Sequence, residues 1–233
     1  MQKAPAICAL VLACLASPTL AAPQIFSSLG GASQLQPLDS TRVEARFKAD
    51  ITNWDSRLEF DSFPDNGDVT ANVSNNRSLF ENNTFGFALD YASATGDMTW
   101  TITRPNNTTS VLTQNLNSMG TLNTLQIFTV GSRGSVTLSN LLFDGGGMMF
   151  NAFPNVDTDP GGPTFAETFL YFGNMNLLAG DFSLSGDMSF GTFTNNNPNE
   201  GSKITIKLRN AIPEPTTLSL LGLGAVALLR RRR

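Results

Sequence analysis

Histidine is absent from this 233-residue chain, and cysteine occurs only twice. Without histidine there can be no Ser-His-Asp or Cys-His pair and no His-ligated metal. Both cysteines, Cys8 and Cys14, sit near the N-terminus, so the body of the chain has no disulfide to staple it. Tyrosine is nearly missing, with 2 against 17 phenylalanines. Bases number 15 against 19 acids, and the pI near 4.8 argues against a nucleic-acid partner, whose footprint would be basic. No apolar run reaches the roughly 20 residues that span a bilayer as a helix. Asn, Gly, Ser and Thr crowd the remainder, a composition suited to short strands joined by many turns.

Residues 1–21 read as a secretory signal peptide. Lys3 supplies the positive start, Ala6 to Ala16 the apolar segment, and Pro18 breaks the helix before Thr19-Leu20-Ala21-Ala22. Cleavage by signal peptidase is placed after Ala21, because a cut one residue later would leave Pro23 at the new N-terminus. As a permanent anchor the apolar segment is too short. Val11-Leu12-Ala13-Cys14 loosely resembles a lipoprotein box that would make Cys14 a lipidated N-terminus, although Leu12 is bulky where a small residue is preferred.

The other end, 211–233, has three parts in order: Pro213-Glu214-Pro215, an apolar stretch from Thr216 to Leu229, and the cluster Arg230, Arg231, Arg232 and Arg233. Each proline fixes its own φ and disfavours the α region for the residue before it. The triplet is therefore stiff and extended, a shape an enzyme can read. The apolar stretch is 14 residues, about 21 Å as a helix against a hydrocarbon core of about 30 Å. A short hydrophobic helix could seat there without being a permanent span, and the arginines would stay cytoplasmic.

This ordered arrangement resembles the PEP-CTERM sorting signal of bacterial envelope proteins, over Ile212 to Arg233. The resemblance implies processing near the Pro-Glu-Pro by an exosortase, a membrane-embedded cysteine transpeptidase-like enzyme. It also implies a Gram-negative host that makes exopolysaccharide. A plain tail anchor is the competing reading of the same residues.

Between the ends lies 22–210, read as one β-sandwich domain. Without Lys3, the terminal arginines and Glu214 it keeps 10 bases and 18 acids, near −8, which favours solubility and repels anionic surfaces. Period-two alternation recurs. It is seen at Val43 to Asp50, in the row Phe85, Phe87, Leu89 and Tyr91, in the row Met98, Trp100 and Ile102, and at Lys203 to Arg209. Further strands are expected at Leu125–Val130, Ser135–Leu141, Thr168–Phe172, Asp181–Leu184 and Asp187–Phe193. Turn signals separate them at 65–68, 105–107, 145–147 and 159–162. The expected class is all-β, an antiparallel sandwich with the jelly roll as one arrangement. Gly96-Asp97-Met98-Thr99-Trp100 is echoed by Gly186-Asp187-Met188-Ser189-Phe190, read as a hairpin turn followed by an inward row rather than as a duplication.

Residues 36–210 also look like the envelope domains grouped as choice-of-anchor proteins, of the type labelled W. The likeness rests on Met98-Thr99-Trp100-Thr101-Ile102, the run Gly134 to Leu141, Leu170-Tyr171-Phe172, the run Gly180 to Gly186, and Lys203-Ile204-Thr205-Ile206-Lys207. It implies a surface or matrix protein and no catalytic residue.

Chemistry is left to carboxylates. A glycosidase needs two of them facing each other across a cleft. Asp55, Glu59, Asp61, Glu81 and Glu167 are candidates whose separations the sequence does not fix. Oxygen-dense turns at Asp65-Asn66-Gly67-Asp68 and Asp157-Thr158-Asp159 are candidates for a structural Ca²⁺, and equally ordinary turn chemistry. A sugar-stacking face would need exposed Trp or Tyr. Trp100, Tyr91 and Tyr171 read as core, leaving Trp54, beside charged residues, as the carbohydrate candidate. Asn-X-Ser/Thr triplets at Asn72, Asn76, Asn82, Asn106 and Asn107 reflect composition rather than glycosylation.

The reading is then an exported, non-enzymatic protein with no cofactor, held transiently in the inner membrane, processed by exosortase and delivered to the cell surface or extracellular matrix. There it would serve the exopolysaccharide coat or biofilm. The alternative is a carbohydrate-binding or polysaccharide-modifying module.

Overall fold

The computed structural model describes residues 24–26, 43–49, 53–60, 69–74, 80–116, 120–131, 134–151, 156–158, 165–173, 175–193 and 202–210. The expected signal peptide at 1–21, the segment 211–233 with its expected hydrophobic helix, and Asp65, Asp68 and Asp159 lie outside them.

The described chain is built of strands. In order they are β1 (Gln24–Phe26), β2 (Val43–Ala49), β3 (Asn53–Phe60), β4 (Val69–Ser74), β5 (Asn83–Ala92), β6 (Asp97–Thr103) and β7 (Thr109–Asn115). There follow β8 (Thr124–Val130), β9 (Val136–Gly145), β10 (Met148–Phe150), β11 (Val156–Thr158), β12 (Phe165–Tyr171), β13 (Phe182–Phe190) and β14 (Ser202–Arg209). A single 3-10 turn, Leu177–Ala179, precedes β13. Two antiparallel sheets result. The first runs β1-β12-β8-β14-β2-β3-β4, and the second β10-β9-β13-β5-β6-β7 with β11 also paired to β9. This is the expected all-β sandwich, with the strand order that spacing left open.

Alternation puts the core between the sheets. The first contributes Val43, Ala45, Phe47, Trp54, Leu58, Leu125, Ile127, Ile204, Ile206 and Leu208, and the second Phe85, Phe87, Leu89, Met98, Trp100, Ile102, Leu138, Phe143 and Met188, all buried. Phe47 is the hub of one aromatic cluster, with ring centroids 5.4 Å from Trp54, 5.7 Å from Phe85 and 5.8 Å from Phe190. Phe143 centres another, 4.8 Å from Phe172 and 6.0 Å from Phe182. The preference for Phe over Tyr follows: a ring in this interior gains packing and carries no hydroxyl that must find a partner.

Turn chemistry acts where the sequence placed it. Gly96 takes a positive φ of 75° and its N–H bonds Ala92 O at 2.8 Å, closing the β5–β6 hairpin. Asn107, at φ 63°, closes the β6–β7 turn. Gly146 and Gly147, both at positive φ, form the two-residue β9–β10 hairpin loop, as a primed turn requires.

Two expectations are corrected. Asp181–Leu184 and Asp187–Phe193 are not separate strands; β13 runs unbroken from Phe182 to Phe190. Gly186 therefore closes no hairpin. It lies mid-strand, where the register with β9 shifts between Ser185↔Leu142 and Asp187↔Ser139. Asn140 and Leu141 thus oppose one residue, which is a β-bulge on β9. Asn140 adopts φ 54°, a conformation Asn tolerates better than most, and its Nδ2 donates to Asp187 Oδ2 at 2.7 Å. The bulge resets alternation, so that Leu141 and Phe143 return to the core after Val136 and Leu138.

Candidate functional site

Trp54 fails the exposure that a sugar platform needs. The alternation of β3 turns Asp55, Arg57 and Glu59 outward and Trp54, Ser56 and Leu58 inward, and Trp54 is only 3% exposed. Its ring packs on Phe47 and Phe80, and the Arg104 guanidinium lies 5.1 Å from its centre. That is a core anchor capped by a cation, and the carbohydrate assignment to Trp54 is withdrawn. Trp100, Tyr91 and Tyr171 are buried as expected.

The outer face of the first sheet carries a ladder of ion pairs. Lys207 and Glu44 are direct cross-strand partners, with Nζ 2.9 Å from Oε2. Arg46 Nη2 lies 3.6 Å from Asp55 Oδ2, and Arg57 Nη1 3.1 Å from Glu59 Oε1. Lys207 Nζ also stands 5.2 Å above the Phe128 ring. Farther along, Gln126 Nε2 donates to Glu167 Oε2 at 3.0 Å. Burial lowers the pKa of the Arg209 guanidinium against the pull of Glu44 and Glu167. Only Lys207–Glu44 is directly opposed; β2 and β3 set Glu44 against Glu59 and Arg46 against Arg57, and the diagonal Arg46–Asp55 contact and the same-strand Arg57–Glu59 contact offset those like-charge pairs. Asp55, Glu59 and Glu167 are engaged by Arg46, Arg57 and Gln126 respectively. Glu81 lies elsewhere, its Oε1 accepting from Phe193 N at 2.8 Å. Asp61 falls outside the described residues. The structure does not bring the described candidates together as two carboxylates across a cleft.

The second sheet has an open groove of about 350 Å³, lined by Asp90, Tyr91, Asp97, Asp144, Asp181 and Phe182 among others. The β5–β6 hairpin and the start of β13 shape it. Asp181 Oδ1 accepts from Ser93 N at 2.7 Å and from Ser93 Oγ at 2.6 Å, bonds that hold its carboxyl below the usual aspartate range. Asp97 is held low in the same way by Asn115, whose Nδ2 donates at 2.8 Å, and by Thr95. Burial, then the Asp181 charge, pushes the Tyr91 phenol up. The groove can accept hydrogen bonds from neutral hydroxyls and repels anions. The sequence offers Gly96-Asp97 as a hairpin turn and Asp181 as the start of a strand; nothing local announces that the two aspartates share a groove.

For calcium, Asp157 lies on β11, its backbone paired with Thr137, while Asp65, Asp68 and Asp159 lie outside the described residues. Among the described residues no cluster of three or more acidic side chains is arranged to hold a metal. None of their helices is long and apolar enough to cross a membrane.

Pro213, Glu214, Pro215, the arginines 230–233 and Ala21 also lie outside the described residues, so they are read through sequence. No curated protein matches the chain. Residues 211–233 match the PEP-CTERM protein-sorting motif, and the chain thus carries the signal by which exosortase substrates are processed and exported through the envelope to the cell surface.

Proposed function

We propose that this protein is a non-enzymatic component of the cell surface or extracellular matrix, associated with exopolysaccharide or biofilm. In this reading signal peptidase releases the N-terminus after Ala21. The apolar stretch of the tail seats briefly in the inner membrane, and exosortase then acts near Pro213-Glu214-Pro215 to free the domain. The observation that carries the reading is the sorting motif at 211–233. Support comes from the body it is attached to, an acidic sandwich without cysteine in which Glu44, Arg46, Asp55, Arg57, Glu59 and Lys207 of the first sheet's outer face are ion-paired. The choice-of-anchor likeness of 36–210 points the same way. The carbohydrate-binding alternative, without Trp54, rests on the aspartate-lined groove alone.

Deleting the exosortase gene in the native host tests this. A larger, tail-bearing form is expected to build up in the membrane fraction. Unchanged size and location would overturn the sorting route, and saturable binding of the full chain on a glycan array would promote the alternative.

A further inference from the structure

Of the outermost strands among the described residues, β1, β10 and β11 are three residues long, β4 six and β7 seven. An open edge presents unpaired N–H and C=O groups, and proteins usually guard it with Lys, Pro, a bulge or shortness. β7 reads Thr109-Ser110-Val111-Leu112-Thr113-Gln114-Asn115, with no charge, no Pro and no Gly. Val111, 54% exposed, stands on it.

The hydrogen-bond phase of β7 follows from its two ends. Leu116 N donates to Gly96 O at 2.6 Å, and Arg104 N donates to Thr108 O at 2.9 Å. Bonded and non-bonded pairs alternate in an antiparallel ladder. Ser110, Leu112 and Gln114 therefore spend their backbone groups on β6. Thr109, Val111 and Thr113 aim theirs outward.

The side chains are self-complementary about Leu112. Laid antiparallel on a copy of itself, the strand sets Val111 on Thr113, Ser110 on Gln114 and Thr109 on Asn115. That is β-branched on β-branched and polar on polar, with no like charges opposed although the whole chain is net −4. The Val111–Thr113 pairs fall in the phase whose backbone groups β6 does not use, so each can exchange two hydrogen bonds.

We propose that the β7 edge is a self-association surface, on which a second copy of this chain lays its own β7 antiparallel across a two-fold axis at Leu112, joining the two second sheets into one. Such an interface is isologous and closes on itself. The proposal stands apart from the sorting reading and survives its failure.

Sedimentation of the full chain in detergent micelles tests it. A concentration-dependent dimer is expected. Val111→Lys places two lysines diagonally across the axis and should weaken the dimer at least about tenfold. Val111→Pro removes a donor that β6 does not use and should do the same. Met149→Lys, on the exposed side chain of β10 at the far end of the sheet, should leave the dimer intact. Circular dichroism melting confirms folding; if Val111→Pro unfolds, Val111→Lys decides, because its side chain is already in water. A monomer at every concentration, a dimer indifferent to Val111→Lys, or one broken by Met149→Lys instead would overturn the proposal.

Discussion

Gly186 of β13 pairs with Phe87 of β5, and a methyl group added at Gly186 would lie 3.2 Å from the Phe87 ring. The same methyl would meet Leu141 Cδ2 at 2.8 Å and Ser139 O at 3.1 Å. The bulge on β9 and the ring on β5 close over one spot from both sides, and only a residue without a side chain fits between them.

Gly186→Ala should therefore destabilise the domain, by about 1–3 kcal/mol, as overpacking of a closed core does. Urea unfolding of the variant against the parent measures this. An unchanged midpoint would mean that Leu141 moves aside freely and that the bulge is not tightly held.

Asp181 ties the start of β13 to the β5–β6 hairpin through Ser93. Its pKa is lowered in the folded state, by the Ser93 hydroxyl first and the Ser93 N–H second. A carboxyl with a depressed native pKa contributes stability above its unfolded pKa, and loses it as the pH falls through the native value. Asp181→Asn should thus lower the melting temperature at neutral pH, with the gap to the parent closing in strong acid. A gap that stays constant down to that range would show that the carboxylate charge plays no part.

Trp54→Ala should cost about 3–5 kcal/mol, the usual range for removing a buried tryptophan. Trp54→Phe should cost less, since a ring remains for Phe47 to pack on. Thermal melts of both variants separate this from a surface role. A Trp54→Ala protein as stable as the parent would return the residue to the surface and reopen it as a sugar contact.

Much of the fold could be read because a half-buried strand writes its own period. The rows from Phe85 to Tyr91, from Met98 to Ile102 and from Ile204 to Leu208 declared both their conformation and their inward face. β3 carries the same code, with Asp55, Arg57 and Glu59 alternating against Trp54, Ser56 and Leu58. Judging Trp54 by its charged neighbours, rather than by its place in that alternation, put it on the wrong face. Gly186 was misread for a different reason. A glycine in a turn and a glycine beneath a close approach look alike locally, and what separates them is Phe87 and Leu141, distant in sequence. β12 was located without its faces, because Thr168 to Phe172 is nearly continuous in large side chains and offers no period. The sorting segment was the most legible part, since its meaning lies in linear order and needs no folding. The aspartate groove was the least, being made by pairings that spacing does not encode.

The place of β14 sets a schedule. Residues 202–209 form the middle of the first sheet, between β8 and β2. A ribosome makes them after every other described strand. Until they emerge, β2-β3-β4 and β1-β12-β8 are two ribbons with bare facing borders, and no partial chain can knit them. The keystone is delivered last, immediately ahead of the address label, so a chain cut short before it forfeits fold and destination together.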